Sequence, residues 1–93
     1  MERPTPSATP IRLNPDVIAR HLGESAVLVH LPTNRVFELN HTAARVWDLL
    51  AEGMPFEKIV HTLVDEFDID VAGVTADVTD LIDWLRSEEL IQP

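Results

Sequence analysis

The sequence predicts an α+β domain in which a three-stranded antiparallel meander is followed by three α-helices, in the order β-β-β-α-α-α. Two observations set this order: short apolar runs of strand length occupy the chain up to Leu39, and beyond it the apolar spacing becomes helical. A third sets its size, because 93 residues with 45% apolar content suffice for one compact core and for no second domain.

Residues 1 to 13 are expected to form a loose arm. Pro4, Pro6 and Pro10 alternate with Thr5, Ser7 and Thr9, which blocks regular hydrogen bonding and leaves little to bury. The domain is expected to span residues 14 to 93. Its first run is Val17 to His21, its second Ala26 to Leu31 and its third Arg35 to Leu39. Their β-branched content and their length suit strands. Gly23-Glu24 and Pro32-Thr33-Asn34 are connections so short that successive strands must be antiparallel neighbours. The second run is almost wholly apolar, as a central strand should be. The third alternates, with Phe37 and Leu39 on one face and Val36 and Glu38 on the other, as suits a strand at the edge.

After Leu39, residues Ala43, Val46, Trp47 and Leu50 recur at helical spacing, with Asn40 as N-cap and Gly53 closing the helix. A second helix is expected to start with Pro55 at its first position and to bury Phe56, Ile59, Val60, Leu63 and Phe67. Asp70 caps a third, whose apolar face is Val74, Val78, Leu81, Ile82 and Leu85 and which runs to about Glu89 before Leu90-Ile91 close the chain. Three amphipathic helices and three strands imply helices packed on one face of the sheet, a winged-helix-like arrangement.

Composition narrows the function. The absence of cysteine removes disulfides, thiolate metal sites and cysteine nucleophiles, and suits a cytoplasmic setting. No run approaches the roughly 18 to 20 apolar residues of a membrane span. A net charge of −9 opposes nucleic-acid binding, whose affinity comes largely from Lys and Arg displacing counterions, and favours a basic or mixed-charge peptide as partner.

Leu28-Val29-His30-Leu31-Pro32-Thr33-Asn34-Arg35-Val36-Phe37-Glu38-Leu39-Asn40 resembles the strand, turn, strand and "LN" ending of the PqqD-like family. Thr42 to Leu50, with its alanine pair and Trp47, resembles that family's first helix. The likeness continues through Ile59-Val60, Phe67-Asp68-Ile69-Asp70, Ala76-Asp77-Val78 and Leu90-Ile91, and so covers about residues 16 to 92. Each motif is weak alone; their order and spacing are specific. Met54, where the family offers a Ser or Thr cap, and Gly73, in the first turn of the third helix, depart from the pattern, at roughly 1 kcal/mol each. The resemblance implies a non-catalytic, cofactor-free domain that captures the leader segment of a ribosomally made precursor peptide. It implies delivery of that peptide to a modifying enzyme, such as a radical SAM maturase or a lasso-peptide leader protease.

The residues supply a surface for this independently. An edge strand leaves unpaired N–H and C=O groups that an extended peptide can satisfy by strand addition, and Asn34, Arg35, Val36, Phe37, Glu38 and Leu39 form that margin. Side-chain selectivity needs pockets, which the third helix can provide from the stripe Asp77, Leu81, Trp84 and Glu88 at i, i+4, i+7 and i+11. Trp84 offers apolar contact area, and Asp77 and Glu88 could pair with basic leader residues. The plainer alternatives are that Trp84 is partial core, that the acids are solvated helix charges, and that Arg35 and Glu38 merely protect the edge.

Other chemistries are weaker. His21, His30, His41 and His61 lack metal-site spacing, and Glu57, His61 and Asp65, though on one helix face, read as a solvated stripe; no metal is expected. Ser7, Ser25 and Ser87 assemble no catalytic triad. The rival from another class is a winged-helix DNA-binding regulator, but the third helix carries Asp77, Asp80, Asp83, Glu88 and Glu89 against Arg86 alone.

Overall fold

In the computed structural model, which describes residues 11–92, the elements follow the expected order. They are β1 (Val17–Leu22), β2 (Ser25–His30), β3 (Arg35–Leu39), α1 (His41–Ala51), α2 (Phe56–Phe67) and α3 (Val71–Ser87). The sheet order is β1-β2-β3, with both pairs antiparallel. Gly23, at φ 64°, makes the two-residue turn between β1 and β2, and Asn34, at φ 59°, ends the turn before β3. Leu31, expected as the last residue of the second strand, instead lies in that turn and is exposed.

One face of the sheet receives the helices. Ala26, Leu28 and His30 of β2 and Leu39 of β3 are buried there against Val46, Trp47, Leu49 and Leu50 of α1 and against Leu85 of α3, within one core. The strand period of two sends alternate residues inward, and the helical period of 3.6 brings each apolar stripe to meet them. His30 is the one buried polar side chain among the described residues; its Nδ1 lies 2.8 Å from the Thr33 hydroxyl, so the ring is hydrogen-bonded where it is buried. β1 is largely exposed, with His21 Nε2 2.8 Å from Asp48 Oδ1 of α1.

Local chemistry explains most boundaries. The Asn40 side chain accepts from the Ala43 N–H at 2.9 Å, and Gly53 adopts φ 82° just past the end of α1. Asp70 accepts from the Gly73 N–H at 3.0 Å, and a Cβ at Gly73 would stand 3.2 Å from that same carboxylate. The glycine thus leaves room for the cap. Two expectations need correction. Pro55, expected as the first helical residue, is instead the N-cap of α2, which begins one residue later at Phe56; its backbone is extended and its carbonyl accepts from the Ile59 N–H at 3.0 Å, and it gives no side-chain cap. α3 stops at Ser87, two residues short, because Glu89 turns left-handed at φ 63° and the Leu90 N–H returns to the Leu85 carbonyl at 2.8 Å.

That reversal ties residues 90–92 to residues 12–14. Leu13 bridges Ile91, the Asn14 N–H donates to Leu90 O at 3.1 Å, and the Gln92 N–H donates to Arg12 O at 2.8 Å. Ile11 and Leu13, which the sequence assigns to a loose arm, pack against the core through this pairing; the rest of that arm, residues 1–10, lies outside the described residues.

Candidate peptide-binding groove

Both outer strands of the open sheet, β1 and β3, are edges; β3 is the one that α3 flanks, and the direction of its main-chain groups follows from one hydrogen bond. The Leu31 N–H donates to Asp16 O at 3.0 Å, so odd-numbered residues along β2 turn their main chain toward β1 and even-numbered ones toward β3. Through the register Ala26↔Leu39, Leu28↔Phe37 and His30↔Arg35, the even-numbered residues of β2 pair with Arg35, Phe37 and Leu39. The N–H and C=O groups of Val36 and Glu38 are therefore the ones that face outward along the edge.

α3 runs beside this edge in the opposite direction. Arg35 Nη2 lies 2.7 Å from Glu88 Oε1, and the Phe37 and Trp84 rings meet edge to face with centroids 5.5 Å apart and planes at 81°. Farther along, Asn40, Asp77 and Leu81 line one open pocket of about 270 Å³. Increasing number in β3 thus matches decreasing number in α3. Five strand residues at ~3.3 Å and two to three helical turns at ~5.4 Å cover similar lengths, which keeps strand and helix in step along a shared groove.

The structure divides the expected site residues into three groups. Arg35 and Phe37 of β3 meet Glu88 and Trp84 at the far end of α3, while Asp77 and Leu81 of α3 line the pocket farther along. Val36 and Glu38 carry their side chains on the opposite sheet face, with Val36 63% exposed, so that only their main chain belongs to the groove margin. The Leu39 side chain is core, and Asn34 is a turn residue whose N–H donates to Leu31 O at 3.4 Å.

Two features of the groove were missed. Glu88 is already engaged by Arg35, whose guanidinium also sits 5.0 Å from the Phe37 ring centroid, so that acid is neutralised within the chain. Asp77, by contrast, is exposed and has no ion-pair partner among the described residues. The pocket beyond Leu81 also draws on Thr42, Ala43, Phe67 and Ile69, residues of α1, α2 and the link to α3. An exposed Ile69 beside the half-buried Phe67 was a visible but unused signal, since an apolar residue between two acidic turn positions has no helical face to serve. Trp84 is 37% exposed and thus only partly core.

The remaining candidates do not gather. Ser25 and Ser87 each donate their hydroxyl to a nearby main-chain carbonyl, Leu22 O and Trp84 O, and neither faces a base. Among the described residues no three His, Asp or Glu side chains are placed to hold a metal ion, and no helix is long and apolar enough to cross a membrane.

The comparisons with known proteins agree on the fold. The structure superposes with a TM-score of 0.84 on "TbiB1 in Complex with the TbiA(beta) Leader Peptide", at 32% identity over 87% of this chain and 94% of that one. It superposes with the same score on "Lasso peptide synthetase B1 complexed with the leader peptide", at 21% identity over 90% and 99% of the two chains, a likeness of fold. A search of curated proteins returns no match. The family model for coenzyme PQQ synthesis protein D, PqqD, matches residues 25–91, which takes in β2, β3, all three helices and the closing Leu90-Ile91. By that match, over the elements that build the groove, the chain belongs to the PqqD family.

Proposed function

We propose that the chain binds the leader segment of a ribosomally synthesised precursor peptide as an added strand on β3, beside α3, and hands the peptide to a modifying enzyme without itself catalysing a reaction. The observation that carries this reading is the outward main chain of Val36 and Glu38 next to the wall formed by Phe37, Trp84 and Leu81. Unpaired strand groups give affinity to any extended chain, and an aromatic wall with a pocket at its end selects among side chains. The two similar structures, each described as a complex with a leader peptide, support the same use of the fold. The enzyme served is a radical SAM maturase or a lasso-peptide leader protease.

The acids Asp77, Asp80 and Asp83 along α3 weigh against duplex DNA as ligand, since a helix entering a major groove must pass close to phosphates. Titration calorimetry of the full chain with its cognate leader peptide tests the proposal, with duplex DNA at low salt as control. Binding between micromolar and nanomolar is expected, about −8 to −12 kcal/mol. No heat from the leader, together with unmoved amide resonances in β3, would reject it.

A further inference from the structure

The sheet face turned away from the helices carries side chains that the groove does not use. The register sets Ile18, Val29 and Val36 side by side across the three strands, and Arg20, Val27 and Glu38 in the next row, with Leu22 beyond. Ile18 and Leu22 are 48% and 57% exposed, and with Val27 and Val29 they line one shallow depression. A one-sided antiparallel sheet ordinarily turns polar residues to solvent, and contiguous apolar patches of a few hundred Å² mark contact surfaces.

The two charges on this face select its occupant. Arg20 and Glu38 flank Val27 on the outer strands, two strand spacings or roughly 9.6 Å apart, and neither has an ion-pair partner among the described residues. A two-fold axis lying along β2, between two sheets packed face to face, exchanges the strand edges and moves nothing along the strands. It sets Val27 on Val27 and Val29 on Val29, brings Ile18 over Val36, and places Arg20 of each copy opposite Glu38 of the other. An axis across the strands instead faces each charge with itself or with an apolar residue. The face is therefore complementary to itself in one arrangement, and isologous contact demands self-complementarity.

We propose that this outer sheet face, centred on Val27 and Val29 with Arg20 and Glu38 at its sides, is the contact between two copies of the chain. Sheets stack about 10 Å apart, a gap that an Arg and a Glu side chain reach across together. Three strands of five residues bury on the order of 1,000 Å² in total, the low end for a specific contact, so the dimer is weak and concentration-dependent. The net charge of −9 opposes association at low salt, and at 0.15 M ionic strength the screening length of about 8 Å confines repulsion to nearby charges. The groove beside α3 opens on the other side of β3, so the two surfaces do not compete.

Sedimentation equilibrium of the full chain, from about 10 μM to about 1 mM in 0.15 M salt, tests this. The wild type associates reversibly. Arg20→Glu and Glu38→Arg each place like charges in both facing pairs and weaken association about tenfold or more. Mixing the two variants in equal amounts makes both facing pairs Glu with Arg again and restores a dimer, as does combining both substitutions in one chain. Circular dichroism confirms that these surface changes leave the fold intact. A wild type that remains monomeric at the highest concentration overturns the proposal and leaves the face to another protein. Association that ignores the single swaps, or that mixing does not recover, overturns it too. So does a monomer that associates only after removal of residues 1–10, which assigns the face to the chain's own N-terminal segment.

Discussion

Val36→Pro separates the main chain of β3 from its side chains. The Val36 N–H faces the free edge, so a proline there takes no hydrogen bond from the β2 ladder, and the lost side chain is 63% exposed. Proline is tolerated at such edge positions and asks only for an extended residue before it, which Arg35 already is. The free protein should lose no more than about 1 kcal/mol of stability. The peptide complex loses more. One hydrogen bond is worth a net 0.5 to 1.5 kcal/mol, and the carbonyl it served on the peptide becomes a buried acceptor without a donor, at about 1 to 3 kcal/mol. A total near 2 kcal/mol corresponds to about thirtyfold weaker binding. Val36→Ala keeps the N–H and should bind within about twofold of wild type. Phe37→Pro, whose N–H points toward Leu28, should instead lose about 3 kcal/mol or more of fold stability. Calorimetry with the leader peptide reads the affinities, and hydrogen exchange reads the mechanism: the Val36 and Glu38 amides should exchange freely alone and become protected on peptide addition, while those of Arg35, Phe37 and Leu39 are protected throughout. A folded Val36→Pro variant with undiminished affinity would show that the peptide does not bind by strand addition.

Trp84→Ala removes the edge-to-face partner of Phe37 and should cost the free protein about 1 to 2 kcal/mol by denaturant titration, and the leader complex about 2 kcal/mol, or thirtyfold in Kd. Leu28→Ala opens a cavity at a fully buried site of the central strand and should cost about 2 to 5 kcal/mol, measured the same way. Arg45 holds the carboxylate of Glu66 through two hydrogen bonds, Nε to Oε1 at 2.9 Å and Nη2 to Oε2 at 2.7 Å, and this contact lowers the Glu66 pKa from 4.5. A depressed folded value means that the stabilisation is complete above the unfolded value and is lost as pH falls through the folded one. The pair is partly solvent-exposed, so Glu66→Gln should cost under about 1 kcal/mol at pH 7. That gap should close in acid, and urea titrations across the carboxylate range check it.

Element order was legible in the sequence because it depends on local chemistry. Period, loop length and the caps Asn40 and Asp70 act within a few residues, and the structure has both caps hydrogen-bonded as such. The edge status of β3 was equally legible, since a meander with two short turns permits one strand order. The helix end that slipped most, at Glu89, lies where distant residues shape the chain: its left-handed backbone lets Leu90 and Ile91 bury and pair with residues 12–14.

What the sequence determined by itself was the set of parts and their order, because apolar periodicity and capping are properties of short segments. Tertiary packing alone decided how the parts face one another. It aligned α3 antiparallel to β3, matched Glu88 to Arg35 and Trp84 to Phe37, sank Leu39 and His30 into the core, and left the main chain of Val36 and Glu38 outward. These outcomes depend on contacts between residues some fifty apart in sequence, whose meeting is settled by how three amphipathic helices share one sheet face, and no local pattern encodes that geometry.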